Sequence, residues 1–311
     1  MRVIIKKFLT HTLHFSGVNW LIGKFNSSKV FCIGYHSIWD QSNKDELSYK
    51  LYKNISVSSN DFEKQLLFLK NNGHTFIRFV DLKKDETKKL LKPTIIFFDD
   101  GFRDVLKNAL PVLKKYNVPA TIFITAGLAN QTHFLWTLGV RSFLFKQGKS
   151  EESIEKTIAE LKKLRMMDRE KEIVKMFSSA NFILNPADFK VFLNWEEIKT
   201  LSQSGCEIGS HGIKHEKLTE LSQRGLIEEL VGSKKILEDK TGLKIEVLSY
   251  PYGRHDKFVI EGAIQAGYTI GVSTMDGNNS FDYIKNHTFE IKRVAPDEDG
   301  SLIDFKVRLY T

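Results

Sequence analysis

Four places in this chain put polar, titratable residues where chemistry could be done. Asp99 and Asp100 follow the apolar run TIIFF, and His211 and His215 stand four residues apart just after CEIGS. Tyr35 and His36 close the run VFCIG, and Tyr250 and Tyr252 lie in YPYG. Adjacent carboxylates repel and resist burial unless a cation or a proton holds them. Neighbouring residues at a strand end point in different directions, so one could ligate a metal while the other faces the water that the metal activates. Histidines spaced i, i+4 on a helical turn present both imidazoles to one side, at about the separation a shared metal ion requires. Each feature also has a plainer reading. Asp-Asp-Gly is ordinary turn sequence and YPYG an ordinary Pro-Gly turn, and 9 His in 311 residues give about 0.3 such pairs by chance. Their shared position at the ends of apolar runs favours the chemical reading. Two His and one carboxylate leave positions open on an ion, as a catalytic site requires. The two tyrosines could wall a sugar-sized pocket, and a backbone N–H there could meet a developing oxyanion.

The elements that must position these residues are legible as an alternation. Residues 30–36, 94–100, 119–125, 206–211, 244–250, 268–274 and 289–295 read as strands, and 58–73, 102–116, 194–205, 218–242 and 256–267 as helices. The strands are continuously apolar, which means parallel strands buried on both faces. The expected fold is α/β, a distorted (β/α) barrel of about seven parallel strands with a helical insertion. No GxGxxG or Walker sequence follows any strand, which disfavours a nucleotide-binding sheet. In such a barrel chemistry belongs at the C-terminal ends of the strands. The expected organisation is a basic amphipathic segment over residues 1–29 and one barrel domain over 30–311, with the insertion at about 133–192.

Composition narrows the partners. Hydrophobic residues make up 41%, charged residues 27% and aromatics 12%, enough apolar material for a substantial core. The formal charge of +8 is spread through stretches of mixed sign such as 146–175, so nucleic acid is not an expected partner. Cys32 and Cys206 are far apart and form neither a disulfide framework nor a CxxC motif, which fits a reducing compartment. No apolar run is long enough to span a bilayer, and the N-terminus lacks a signal-peptide core. A cytoplasmic location is therefore expected. Ile4, Ile5, Phe8, Leu9, Leu13 and Phe15 share one side of a helical wheel, and no acidic residue precedes Asp40. That segment could pack on the domain or make peripheral contact with the inner face of the cell membrane.

FFDDG (97–101), SHGIKH (210–215) and YPYG (250–253), in that order at strand ends, resemble the first three motifs of the polysaccharide deacetylases, the NodB-homology domain of carbohydrate esterase family 4. GYHSI (34–38), residues 58–76, PATIFIT, residues 193–212 and IKRV (291–294) are similar to the branch containing poly-β-1,6-N-acetylglucosamine deacetylases. The resemblance covers roughly residues 30–296. It implies a metal-dependent hydrolase that removes N-acetyl groups from an amino-sugar polysaccharide, oligosaccharide or glycolipid precursor. By the same resemblance Asp99 is the general base, and Asp100, His211 and His215 hold one divalent metal, zinc first and cobalt, nickel or iron as alternatives. The Tyr252 N–H helps form the oxyanion hole, with Tyr250 and His36 beside the substrate.

Three departures from the family pattern stand out. Many members carry Arg three residues before the Tyr of the third motif, where it orients the catalytic Asp; Ser249 stands here. Arg293, Arg254 or Arg103 could substitute, and Arg293 is favoured because the resembling branch has Arg there. Gly212 and Glu216 replace the usual Ser or Thr and Pro of the second motif. The late Leu-x-His motif that supplies the general acid is not recognisable, and His287 is the only His nearby, so the acid is unassigned. The alternative is a non-catalytic glycan-binding or scaffold protein on a degenerate deacetylase fold. A 2-His-1-carboxylate iron oxygenase is disfavoured, because Asp100 precedes the histidine pair by more than a hundred residues on β/α scaffolding.

Overall fold

The computed structural model describes residues 29–42, 55–129, 133–184, 190–297 and 301–310. The amphipathic segment expected over 1–29 lies almost wholly outside the described residues.

Seven parallel strands form the barrel, as the apolar runs implied. They are β1 (Lys29–Tyr35), β2 (Pro93–Phe98), β3 (Ala120–Ile124), β4 (Glu207–Ser210), β5 (Val247–Ser249), β6 (Ile270–Asp276) and β7 (Ile291–Arg293). Each pairs with the next in chain order. The ring closes where Val294 bridges Ile33, its N–H donating to the Cys32 carbonyl at 2.8 Å. Two short strands extend the sheet: Thr75–Ile77 runs parallel to the start of β2, and Asn279–Ser280 antiparallel to the start of β1.

Alternation along the strands builds two apolar layers. Cys32, Ile95, Phe97, Phe123, Val272 and Ile291 fill the barrel interior. Phe31, Ile33, Ile96, Phe98 and Ile122 face outward onto the helices. Gly34 and Gly209 have no side chain because the rings of Phe97 and Phe123 occupy that space, 2.5 Å from where a Cβ would stand.

The helices depart from expectation in two places. Residues 218–242 are not one helix. A short 3-10 turn, Leu218–Glu220, precedes an extended break, after which Ser222 caps the helix Gln223–Thr241 by accepting from the Gly225 N–H. The helix expected over 102–116 opens with a π turn, Val105–Ala109, ahead of Leu110–Tyr116. Pro111 lacks an N–H and crowds the carbonyl four residues earlier, and a wider turn relieves both problems.

Between β3 and β4 the chain forms α1 (Trp136–Lys146), α2 (Glu151–Lys163) and α3 (Met166–Ser179). They share a small core that includes Val140, Phe143, Ile154, Ile158 and Ile173. The helix Gln223–Thr241, here α4, follows β4. At the end of the barrel opposite the strand C-termini, the helix Leu302–Tyr310 packs on the outer layer, with Tyr310 against Phe31. There His74 bonds Thr94 Oγ1 at 2.7 Å and Tyr310 OH at 3.0 Å. Among the described residues no helix is long and apolar enough to cross a membrane.

Candidate active site

Asp99, Asp100, His211, His215, His36, Tyr252 and Arg293 meet at the C-terminal mouth of the barrel. Asp99 continues the inward face of Ile95 and Phe97 beyond the end of β2, and its N–H donates to the Tyr35 carbonyl at 2.9 Å. Asp100 turns away because its backbone is left-handed, φ 70°. A single tight turn thus sends two adjacent carboxylates to different partners.

Asp100 Oδ1 stands 3.2 Å from Nε2 of both His211 and His215. All three side chains are buried, and their candidate ligand atoms lie within 4.8 Å of one another. His211 Nδ1 is 2.8 Å from the Ser249 carbonyl, which can only accept, so the proton is assigned to Nδ1. The neutral ring then turns a lone pair on Nε2 toward a carboxylate oxygen that itself lacks a well-formed hydrogen bond. Acceptors facing one another in a buried site require a cation between them or a proton taken up. The donor set, two imidazoles and a carboxylate with the far nitrogen of one ring fixed by a carbonyl, suits a borderline divalent ion. Burial pushes the Asp100 carboxyl up, but when the facing imidazole nitrogens carry that proton they outweigh it and hold the carboxyl well below the usual range.

Asp99 has a different companion. Arg293 Nη1 donates to its Oδ2 at 2.5 Å, and Arg293 Nε donates to the Ser273 carbonyl at 2.7 Å. Arg293 follows Ile291 on the inward face of β7, and its guanidinium lies over the Phe97 ring, 5.5 Å from the centroid. Burial raises the Asp99 carboxyl, and Arg293, His211 and His36 more than reverse this, leaving it below the ordinary value. Arg293 therefore supplies the cation missing at Ser249. Of the other candidates, Arg103 is engaged by Glu197 and the Lys190 carbonyl. His36 sits half-exposed at the rim with Nε2 3.9 Å from Asp99 Oδ2. Burial pulls its imidazole below the ordinary value, against the opposing pull of Asp100 and Asp99.

Two expectations of local geometry fail. His211 and His215 are not on a helical turn; residues 211–217 form a loop with Gly212 at φ 76° and His215 at φ 58°. Helical hydrogen bonds are replaced by others. The N–H groups of Ala126 and Gly127 donate to the carbonyls of Gly212 and Ile213, and buried Glu229 on α4 accepts from the N–H groups of Ile213 (2.6 Å) and Lys214 (3.2 Å). A Cβ on residue 212 would stand 2.8 Å from Glu229 Oε2, which explains the glycine. Tyr250 does not wall the site. Its side chain is fully buried, stacked on His255 at 4.9 Å and packed against Gly271, because the YPYG turn directs it into the core. Tyr252, at φ 58°, does reach the site, its ring 4.7 Å from that of His215. Burial pushes its phenol up to about 12, so the hydroxyl keeps its proton.

His287 is not brought to the site. It bonds Glu290 and stacks on Tyr283, with its side chain 46% exposed. Conversely, three residues with no sequence signal of their own do arrive: Glu229, Trp136 and Arg169. Trp136 Nε1 donates to Tyr252 OH at 3.0 Å, and Arg169 Nη2 donates to Glu216 Oε2 at 2.9 Å. The unusual Glu216 was the one hint of a partner. Beside Tyr252 a cavity of about 460 Å³ is lined by Trp136, Lys162, Lys217 and Arg254 among others. A larger cleft, about 890 Å³, runs between α3 and α4 behind the loop and is lined by none of the three candidate ligands.

Known proteins share this fold or long stretches of related sequence. A Bacillus subtilis relative named for polysaccharide deacetylases is 26% identical over 275 residues, covering 85% of this chain and 77% of its own. The poly-β-1,6-N-acetyl-D-glucosamine N-deacetylase of Staphylococcus aureus is 31% identical over 118 residues, which is 36% of this chain and 41% of that enzyme. Among solved structures, a Streptococcus pyogenes deacetylase in complex with acetate superposes with a TM-score of 0.62 at 19% identity, covering 91% of this chain and 99% of that one. IcaB from Ammonifex degensii superposes with a TM-score of 0.60 at 18% identity, covering 91% and 98%. At those identities the likeness establishes the barrel fold. The family profile described as Polysaccharide deacetylase matches residues 86–271, more than half of the chain and the stretch holding Asp99, Asp100, both histidines and YPYG. This protein belongs to the polysaccharide deacetylase family.

Proposed function

We propose that the protein is a metal-dependent carbohydrate N-deacetylase, with Asp100, His211 and His215 holding one divalent ion, zinc before cobalt, nickel or iron. The observation that carries this reading is the division of labour between adjacent carboxylates: Asp100 faces two imidazoles while Asp99 faces Arg293. When bound, the ion would polarise an acetamide carbonyl and acidify a water molecule. Asp99, kept ionised by Arg293, would take the proton from the attacking water. Arg293 fixes the orientation of that carboxylate through its second bond, to Ser273. The backbone N–H of Tyr252 would meet the developing oxyanion, and His36 would border the substrate at the rim. Acetate and a free amine leave. The cavity beside Tyr252, with its aromatic wall, is of a size to take a sugar unit next to the one that reacts. His287 bonds Glu290 and stacks on Tyr283 instead, and the general acid stays unassigned. The Asp99–Arg293 pair also removes one motive for the non-catalytic alternative, since Ser249 does not leave the base without a cation.

Elemental analysis of the purified protein, combined with acetate release from N-acetylated oligosaccharides, tests the reading. About one equivalent of divalent metal and release that stops on chelation are expected. Protein that holds no metal and releases no acetate would favour the glycan-binding alternative.

A further inference from the structure

The contacts on the outer side of His215 close into a ring, and two of its members belong to the helices between β3 and β4. The His215 ring packs at a tilt against Tyr252, whose OH accepts from Trp136 Nε1. The indole of Trp136 carries the Arg169 guanidinium 4.7 Å from its centroid. Arg169 in turn donates to Glu216, the residue that follows His215. Arg169 is 1% exposed, and its Nε and Nη1 are buried without partners. An apolar pair in place of Arg169 and Glu216 would pack there without stranding two donors, so fold stability does not explain the arginine. Its single good ion pair is spent on the residue beside a candidate ligand.

His215 needs such support. His211 is oriented by the Ser249 carbonyl on its far nitrogen, whereas His215 Nδ1 is buried with no hydrogen bond. Outer partners of this kind normally fix the ring of a metal-ligating histidine. For His215 the tilted ring contact with Tyr252 and the anchored Glu216 take their place, in a backbone held at φ 58° outside any helix.

We propose that Arg169 is a positioning residue which, through Glu216 and Trp136, sets the orientation of His215 and of the Tyr252 turn. The helices α1 and α3 then complete the site of the barrel as well as cover it. This rests on the reading of His215 as a metal ligand.

The test uses the full chain and three readouts: zinc affinity by chelator competition, kcat and KM for acetate release from β-1,6-linked N-acetylglucosamine oligomers, and thermal midpoint. Arg169→Met is expected to weaken zinc binding by about 10–100-fold and to lower kcat with little change in KM. Trp136→Phe keeps a ring beneath the guanidinium and removes only the N–H to Tyr252, so kcat should fall while zinc affinity holds. A purely structural arginine would lower the thermal midpoint and leave zinc affinity and kcat of the folded variant at wild-type values, and that result overturns the proposal. If Arg169→Met does not fold, Glu216→Gln replaces it, with weaker zinc binding expected and unchanged affinity refuting. Wild-type protein that binds no zinc would defeat the underlying reading; wild-type binding matched by every variant would defeat only this inference.

Discussion

Replacing Arg293 by Met isolates what the cation does for Asp99. The two groups form a 2.5 Å ion pair with side chains 5% and 1% exposed, so water cannot take over when the guanidinium is removed. Breaking a buried pair from one side costs roughly 3–5 kcal/mol, because it leaves an uncompensated charge. A carboxylate can escape that penalty by binding a proton. At 1.36 kcal/mol per pKa unit, the penalty corresponds to an upward shift of roughly 2–4 units. Asp99 is held below its ordinary value while Arg293 is beside it and would then titrate in a window raised by that amount. The sign follows directly: the base is active only when ionised, so the variant should lose kcat/KM progressively as pH falls through that window, while the wild type stays level there. Acetate release measured from pH 5 to 9 at saturating metal reads the shift as a displaced acid limb. Arg293→Lys should fall between, since one ammonium cannot reach Asp99 and the Ser273 carbonyl with the same geometry. An acid limb in Arg293→Met that overlays the wild type would refute both the assigned base and the role of the pair.

Further outcomes follow from the same geometry. Asp99→Asn should abolish acetate release while the protein still retains its metal, checked by elemental analysis of the same preparation. Glu229→Ala strands the N–H groups of Ile213 and Lys214 and should cost about 1–3 kcal/mol; urea unfolding and the rate of zinc loss to a chelator measure the two consequences. His287→Ala should leave kcat within about twofold of wild type, since the imidazole serves only Glu290 and Tyr283; a tenfold loss would restore it as the acid. At the base of the barrel, burial lowers the His74 imidazole to about 3. The unfolded chain therefore binds a proton below about pH 6.5 that the folded state refuses, and stability falls with decreasing pH by up to about 1.4 kcal/mol per unit. His74→Phe should flatten that slope in urea titrations between pH 6 and 4.

What could be read in advance divides along a physical line. Runs such as TIIFF and VFCIG must be buried on both faces, so the parallel barrel was legible, and Asp99, Asp100 and His36 were conspicuous as polar residues at the ends of such runs. Residue types also marked the candidate metal ligands, but not their backbone. The spacing of His211 and His215 suggested a helical turn, whereas Gly212 and the left-handed His215 make a loop whose hydrogen bonds come from Glu229 and from Ala126 and Gly127 just after β3. YPYG misled for a related reason: its tight turn sends one tyrosine to the core and the other to the site. Glu229, Trp136 and Arg169 could not be singled out, because each lies in a helix where an acidic, aromatic or basic residue is unremarkable. Only the fold brings them to the loop.

The closure of the barrel joins residues 194 apart in the chain, Asp99 on the second strand's end and Arg293 on the seventh strand. That separation has a kinetic meaning. Contacts so distant form late, because the entropy of closing a long loop must be met before the contact rewards it. Until β7 docks between β6 and β1, the carboxylate proposed as the base has no guanidinium beside it to fix its orientation. A partly folded molecule would thus possess both histidines and both aspartates and still lack the buried, oriented carboxylate of the folded site. Competence would arrive with the last strand, in step with the completion of the barrel.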